Sequence, residues 1–230
     1  MLKYKIGDCL DLLSEVPDTS IDLVLTDIPY DVLPDIKWLE ECYRCMKDTA
    51  SIFVFSSRQQ NRFLCQQLDA VGFIEQRIII WVRKRDKNNC RGSALVGEYE
   101  PISYYTKSNN YCFNNLKVPP KEHLKKRKEY VTGILKDGIS LSDVWLDIPA
   151  LPWNHKEKKH PYQKPISLIE RIILLSSNEG DNVLDPFLGG GTTLEACFET
   201  NRNCYGLEID SQWETLYKNI LENDKTMEMF

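Results

Sequence analysis

Two hydrophobic periods alternate along this chain. Short apolar runs rich in β-branched and aromatic residues are separated by stretches in which apolar residues recur every three or four positions. The first pattern reads as buried strand, the second as helix with one core-facing stripe. Strands are expected at Tyr4–Ile6, Ile21–Thr26, Ser51–Phe55, Ile78–Val82, Ile102–Thr106, Asn182–Leu184 and Cys204–Glu208. Helices are expected at Cys9–Leu13, Ile36–Met46, Gln59–Val71, Ile166–Ser177, Thr192–Glu199 and Ser211–Glu222. Pro165 stands at the entry of the fourth helix, where a missing N–H costs nothing, and Ile166, Ile169 and Ile173 follow at helical spacing. Strand and helix in alternation predict an α/β domain with a mostly parallel sheet.

The alternation fails between about residues 109 and 160, through KVPPKEHLKKRKEY and LPWNHKEKKH. This segment reads as an insertion between two parts of one sheet, so that residues 1–230 form a single domain. Charge sharpens the picture. The net charge of −5 excludes a uniformly basic nucleic-acid binder. Yet residues 83–164 hold 17 Lys and Arg against 9 Asp and Glu, whereas the rest of the chain holds 12 against 25. A basic segment on an acidic scaffold suits a polyanion; the plainer alternative is a solvated, Lys-rich loop. Lys84, Arg85, Lys87 and Arg91, together with Lys125, Lys126, Arg127 and Lys128, are candidates for phosphate contact, with salt-sensitive affinity as the consequence.

Eight cysteines lie scattered through apolar segments. The opening residues, MLKYKIGDCL, lack the apolar core of a signal peptide, so reduced thiols in a cytoplasmic protein are expected. No run approaches the roughly 18 apolar residues of a membrane span. Cys42 and Cys45 form a CxxC with no second pair at zinc spacing, so a packing role is expected, and no set of His, Cys and carboxylates has metal-ligand spacing. Trp145 and Trp153 also read as packing residues.

The ends of two predicted strands carry candidate chemistry. In NVLDPFLGGGTT, Gly189, Gly190 and Gly191 let the backbone turn tightly and approach a ligand closely. The next predicted strand ends in Glu208, where doubly wound nucleotide sites place an acid for ribose hydroxyls. The spacing is not GxGxxG, which disfavours a dinucleotide, and no Gly-Lys-[Ser/Thr] follows, so there is no P-loop. A nucleoside-type ligand fits this order of elements; a turn of purely structural use is the alternative. In LTDIPY, Asp27 ends a strand, Pro29 stiffens the turn and keeps Ile28 extended, and Tyr30 offers a flat face. A carboxylate, a backbone carbonyl and an aromatic suit a nucleobase with an exocyclic amino group. That nitrogen is a poor nucleophile because its lone pair delocalises into the ring. Acceptors aimed at its N–H bonds stabilise the positive charge that grows as it reacts. Taken alone, these four residues also fit a simple strand-end turn.

Taken jointly, GDCLDLL…SIDLVLTDIPY, GEYEPISYYTK and SDVW…HPYQKPISLIERII…GDNVLDPFLGGGTTLEAC…YGLEID resemble the S-adenosylmethionine-dependent amino-methyltransferases of DNA. The resemblance is to the permuted, β-class order, in which the catalytic motif precedes the cofactor motif, and it spans the chain outside residues 109–140. It implies a class I methyltransferase (Rossmann-like) α/β fold with a seven-stranded mixed sheet, in which the 109–160 insertion reads the target. The implied reaction is methyl transfer from S-adenosylmethionine to N6 of a flipped adenine in double-stranded DNA. Cytosine N4 as the target and a catalytically decayed DNA-binding homologue are the alternatives; a nicotinamide oxidoreductase is a third, disfavoured by the absent GxGxxG. By resemblance, Asp27 and the Ile28 carbonyl accept from the target amino group, Pro29 shapes the turn and Tyr30 stacks on the base. Asp185, Phe187, Gly189, Gly191 and Thr192 border the methionine part of the cofactor. Glu208 binds the ribose, Asp8 and Cys9 meet the adenine ring, and Gln163, Lys164 and Pro165 close the pocket. The implied partners are double-stranded DNA, a second copy in a homodimer and a cognate restriction endonuclease, with no membrane. Two departures stand out: the family usually has Pro where Ile28 stands, and often Ser where Gly190 stands. The second is expected to be mild.

Overall fold

In a computed structural model, residues 1–83, 97–119, 138–152 and 160–227 are described, and every predicted strand and helix forms, with bounds displaced by up to five residues, as at β3, which begins at Met46 rather than the expected Ser51. The strands are β1 (Leu2–Ile6), β2 (Ile21–Asp27), β3 (Met46–Phe55), β4 (Ile74–Val82), β5 (Tyr99–Thr106), β6 (Lys117–Val118), β7 (Ile139–Ser140), β8 (Val144–Trp145), β9 (Asn182–Asp185) and β10 (Asn203–Glu208). The helices are α1 (Cys9–Leu13), α2 (Lys37–Cys45), α3 (Arg58–Val71), α4 (Ile166–Ser176), α5 (Thr192–Glu199) and α6 (Glu214–Met227), the last entered through a 3₁₀ turn at Ser211–Trp213.

The main sheet has the order β1-β10-β9-β2-β3-β5-β4-β8. The first five strands are mutually parallel, β5 runs antiparallel to both β3 and β4, and β8 pairs parallel with β4. Both faces of the centre are covered, which is why β2 and the second half of β3 read as continuous apolar runs. Successive residues of a strand face opposite ways. Leu23 and Leu25 join one core with Leu168, Ile172 and Leu194, whereas Val24 joins the other with Trp38, Leu39 and Leu64. Cys42 and Cys45 are buried in that second core as free thiols.

The eight strands of the sheet exceed the seven implied by the resemblance. The addition, β8, is two residues long, too short to show any periodicity. Trp145 lies in register with Trp81 and is 2% exposed, as expected of a packing residue. Trp81 Nε1 also donates to the Ile148 carbonyl at 2.8 Å. Within the 109–160 segment, Tyr111, Leu116, Leu141 and Ala150 pack against the first core. Asn114 Nδ2 donates to the Leu174 and Ser177 carbonyls at the end of α4, 2.9 Å each, and β6 and β7 pair as a small antiparallel ribbon. The basic groups at 84–91 and 125–128, with His123, Trp153 and His155, lie outside the described residues. No helix among the described residues is long and apolar enough to cross a membrane.

The parallel strands bring the ends of β1, β2, β9 and β10 to one edge. From β9 the chain leaves through α5, which packs on one face; from β2 it leaves through α2, which packs on the other. A crevice therefore opens where β9 and β2 adjoin, the place at which open α/β sheets bind ligands.

Candidate active site

The DIPY tip and the glycine loop share this crevice, a cleft of about 470 Å³. Their strands are tied directly: Thr26 Oγ1 donates to Asp185 Oδ1 at 2.6 Å.

On the β2 side, Asp27 extends from the strand end with its two oxygens in different states. Oδ2 accepts from Lys164 Nζ at 2.6 Å. Oδ1 is buried and has no hydrogen-bond partner among the described residues. Burial pushes the Asp27 carboxyl up to about 6, with the Lys164 ammonium opposing the shift and the Glu100 carboxylate adding to it. Ile28 is 1% exposed, and its N–H donates to the Phe55 carbonyl at 3.2 Å. A proline there lacks that donor, so the extra rung replaces with a hydrogen bond some of the stiffness a ring would bring. Pro29 and Val32 present carbonyls to Gln60 Nε2 at 2.7 and 3.2 Å. Gln60 also closes the capping box of α3 with Ser57, so one side chain anchors both the helix start and the tip. The Tyr30 hydroxyl donates to Glu100 and accepts from Lys164. Burial, then the neighbouring Asp27 and Glu100 charges, raise the phenol, which stays protonated.

On the β9 side, Asp185 ends its strand with both oxygens engaged. Oδ1 accepts from Thr26 and, at 3.1 Å, from the Phe187 N–H; Oδ2 accepts from Thr193 Oγ1 at 2.6 Å. It lines the cleft, but its hydrogen bonds build the loop. Phe187 stands edge-on to Trp38 with ring centroids 5.3 Å apart. Gly191 has φ +81° and precedes α5 with Tyr217 against it. Gly190 is set by a close approach: a Cβ there lies 2.6 Å from the Cβ of His160. His160 occupies the space that a serine side chain would take at 190, so glycine is the residue that fits this loop.

Glu208 ends β10 half-buried, with Oε2 accepting from the Gly189 N–H at 2.7 Å and Oε1 from the Asp210 N–H at 2.9 Å. Asp8 caps α1 by accepting from the Leu10 N–H at 2.8 Å. Cys9 beside it is a thiol that burial pushes up to about 11.

The cleft is lined by all four tip residues and, of the expected cofactor residues, by Asp8, Cys9, Gln163, Lys164, Asp185, Phe187, Gly189, Thr192 and Glu208. Pro165 and Gly191 are outside its lining: the first caps α4 and the second caps α5. Lys164 departs from expectation in direction, since its ammonium turns to the DIPY tip. Three groups that sequence reasoning left unassigned belong here. Glu100 is a carboxylate in an otherwise apolar strand, a sign of a buried partner. Gln60 was legible in the Ser57-x-x-Gln60 capping signature. Tyr162, 62% exposed, stands edge-on to Tyr30 at 5.7 Å and had no local signal.

A family model described as DNA methylase matches residues 21–219. The chain is 30% identical to the Type II methyltransferase M.HpaI of Haemophilus parainfluenzae over 95% of its length and 73% of the relative's. It is 31% identical to the DNA adenine methyltransferase YhdJ of Escherichia coli over 90% of this chain and 78% of that one. Among solved structures, the complex of M1.HpyAVI with SAM superposes with a TM-score of 0.73 at 22% identity, covering 95% and 99% of the two chains. The cytosine-N4-specific PvuII DNA methyltransferase superposes with a TM-score of 0.73 at 18% identity, covering 96% and 93%. The fold is thus that of the class I methyltransferases, and the chain belongs to the N6/N4 DNA methylase family.

Proposed function

We propose that this protein transfers the methyl group of S-adenosylmethionine to N6 of an adenine flipped out of double-stranded DNA. The observation that carries the reading is the buried Oδ1 of Asp27, without a hydrogen-bond partner among the described residues, in a cleft shared with the glycine loop. A buried acceptor left unpaired costs about 1–3 kcal/mol, and an amino N–H from a base removes that cost. Adenine is preferred to cytosine because the tip begins with Asp and because a relative 31% identical is named as an adenine methyltransferase.

The residues fit the cofactor. The volume suits a small-molecule site, Glu208 is held in place by two backbone N–H groups, and the turn at Gly190 carries no side chain. Glu208 would hold the ribose hydroxyls, Asp8 and Cys9 the adenine ring, and Phe187 with the Gly189 and Thr192 backbone the methionine end. When bound, the cofactor supplies an electrophilic methyl group on a positively charged sulfur. Asp27 holds the target amino group through one N–H, concentrates its lone pair on nitrogen, and stabilises the positive charge that develops there. Flipping costs a few kcal/mol; stacking on Tyr30 returns roughly 1–3 kcal/mol. Alignment of the amino group against the methyl donor, with up to about 7–11 kcal/mol available, provides most of the acceleration. The biological setting that fits is restriction–modification or epigenetic marking, with a cognate endonuclease and a second copy of the chain as partners.

The test is methylation of PCR-amplified bacterial genomic DNA by the full chain, followed by nucleoside mass spectrometry. N6-methyladenine is expected, and it disappears with Asp27→Ala. N4-methylcytosine alone overturns the choice of base, and methylation that survives Asp27→Ala overturns the site.

A further inference from the structure

The floor of the cleft holds more charge than an acceptor for an amino group requires. Lys164 Nζ lies 2.6 Å from Asp27 Oδ2 and 2.9 Å from Glu100 Oε1, and it also donates to the Tyr30 hydroxyl. The Lys164 and Glu100 side chains are only 8% and 9% exposed. An ammonium has three N–H donors, and three acceptors from the tip and β5 surround this one. Two carboxylates and one cation leave the cluster with a net negative charge, at the place where the substrate nitrogen becomes positive.

Burying charged groups is expensive unless they are paired, so a buried Glu100 beside the partly exposed Asp27 needs a reason. A lone Lys164 beside Asp27 would neutralise it. Glu100 draws the ammonium from the other side and shares it. With Oδ2 pinned by Lys164, rotation of the Asp27 carboxyl is fixed, and Oδ1 is the oxygen left for the substrate. Lys164 lines the cleft, but its ammonium is engaged by Asp27, Glu100 and Tyr30.

We infer that Lys164 and Glu100 act as a positioning pair for Asp27: Lys164 orients the carboxylate, and Glu100 holds Lys164 while preserving the negative charge of the cluster. The inference rests on the reading of Asp27 given above. Among the described residues, the charged and titratable groups that face Asp27 are Lys164 from the segment entering α4, Glu100 from β5, Tyr30 from the tip and Asp185 from β9. Lys164 lowers the Asp27 pKa and Glu100 raises it. Removing one or the other therefore moves the acid limb of the reaction in opposite directions, a signature that a purely structural role does not produce.

The experiment measures kcat against pH, and KM for S-adenosylmethionine, for the full chain and for Lys164→Met, Glu100→Gln and Asp27→Ala on PCR-amplified genomic DNA. Lys164→Met is expected to lower kcat by roughly 100-fold or more and to move its acid limb to higher pH, with KM for S-adenosylmethionine little changed. Glu100→Gln, nearly the same shape, is expected to move the limb to lower pH and to reduce kcat by about tenfold as Lys164 neutralises Asp27. If Lys164→Met does not fold, as judged by circular dichroism, Glu100→Gln decides alone. A limb that stays in place or moves to higher pH in Glu100→Gln overturns the pair, as does a raised KM with unchanged kcat in Lys164→Met. Activity retained by Asp27→Ala removes the underlying reading of Asp27; an inactive Asp27→Ala combined with unmoved limbs removes only the pair.

Discussion

Asp27 and Asp185 end neighbouring parallel strands, each followed by a turn containing proline, yet they are held in different ways. Asp185 is 3% exposed and accepts from Thr26, Thr193 and the Phe187 N–H. Asp27 is pinned through one oxygen by a lysine, and its other oxygen is buried without a partner among the described residues. Burial pushes both carboxyls up to about 6. The difference lies in the partners: hydroxyls and an amide that belong to the fold surround Asp185, whereas Asp27 keeps an acceptor unused. One acid builds the loop that frames the cleft, and the other is left for chemistry.

Replacing each acid tests that contrast most severely. Asp27→Asn should reduce methyl transfer by roughly 100- to 1,000-fold without loss of stability at pH 7. Asp185→Ala strands three donors and should cost about 3–5 kcal/mol in denaturant unfolding, with activity lost through the loop. If Asp185→Ala unfolds like the native chain, the division of roles fails.

Acidification separates activity from stability. Each acid has a folded-state pKa near 6 against an ordinary value of 3.8. The folded state thus binds more protons between these values, so the stability each group contributes is fully present below 3.8 and is lost as pH rises through about 6. Activity runs the other way, since Asp27 must be ionised to accept. A rate profile should show an acid limb near pH 6. Over the same range, the stability of Asp27→Asn relative to the native chain should increase as pH rises.

Smaller effects distinguish the turns. Gly190→Ala should cost about 1–3 kcal/mol through the clash with His160 and weaken cofactor binding in calorimetry; in a His160→Gly background the cost should shrink. Gln60→Ala removes the anchor of Pro29 and Val32 and half of a capping box, for about 1–2 kcal/mol of stability, with a smaller loss of rate than any change at Asp27.

Much of this architecture was legible from local pattern. Leu23, Val24 and Leu25 form an unbroken apolar run because both faces of β2 are covered, and Ile166, Ile169 and Ile173 recur every three or four residues because one face of α4 is covered. The DIPY tip and the glycine loop were visible for a similar reason: a strand end, a proline and a run of glycines are local conformational choices written in adjacent residues. Tertiary structure decided which charges meet. Lys164 lies 137 positions from Asp27 and 64 from Glu100, and no period or short motif encodes a contact at such separations. Its neighbours in sequence pointed to the cofactor side, whereas packing of α4 against the sheet turned its ammonium to the catalytic tip. The two-residue β8, the satisfaction of Asp185 and the filling of Gly190's space by His160 have the same origin. Burial makes the pairing of each charge and the fit of each side chain matter, and burial is created only when distant segments close on one another.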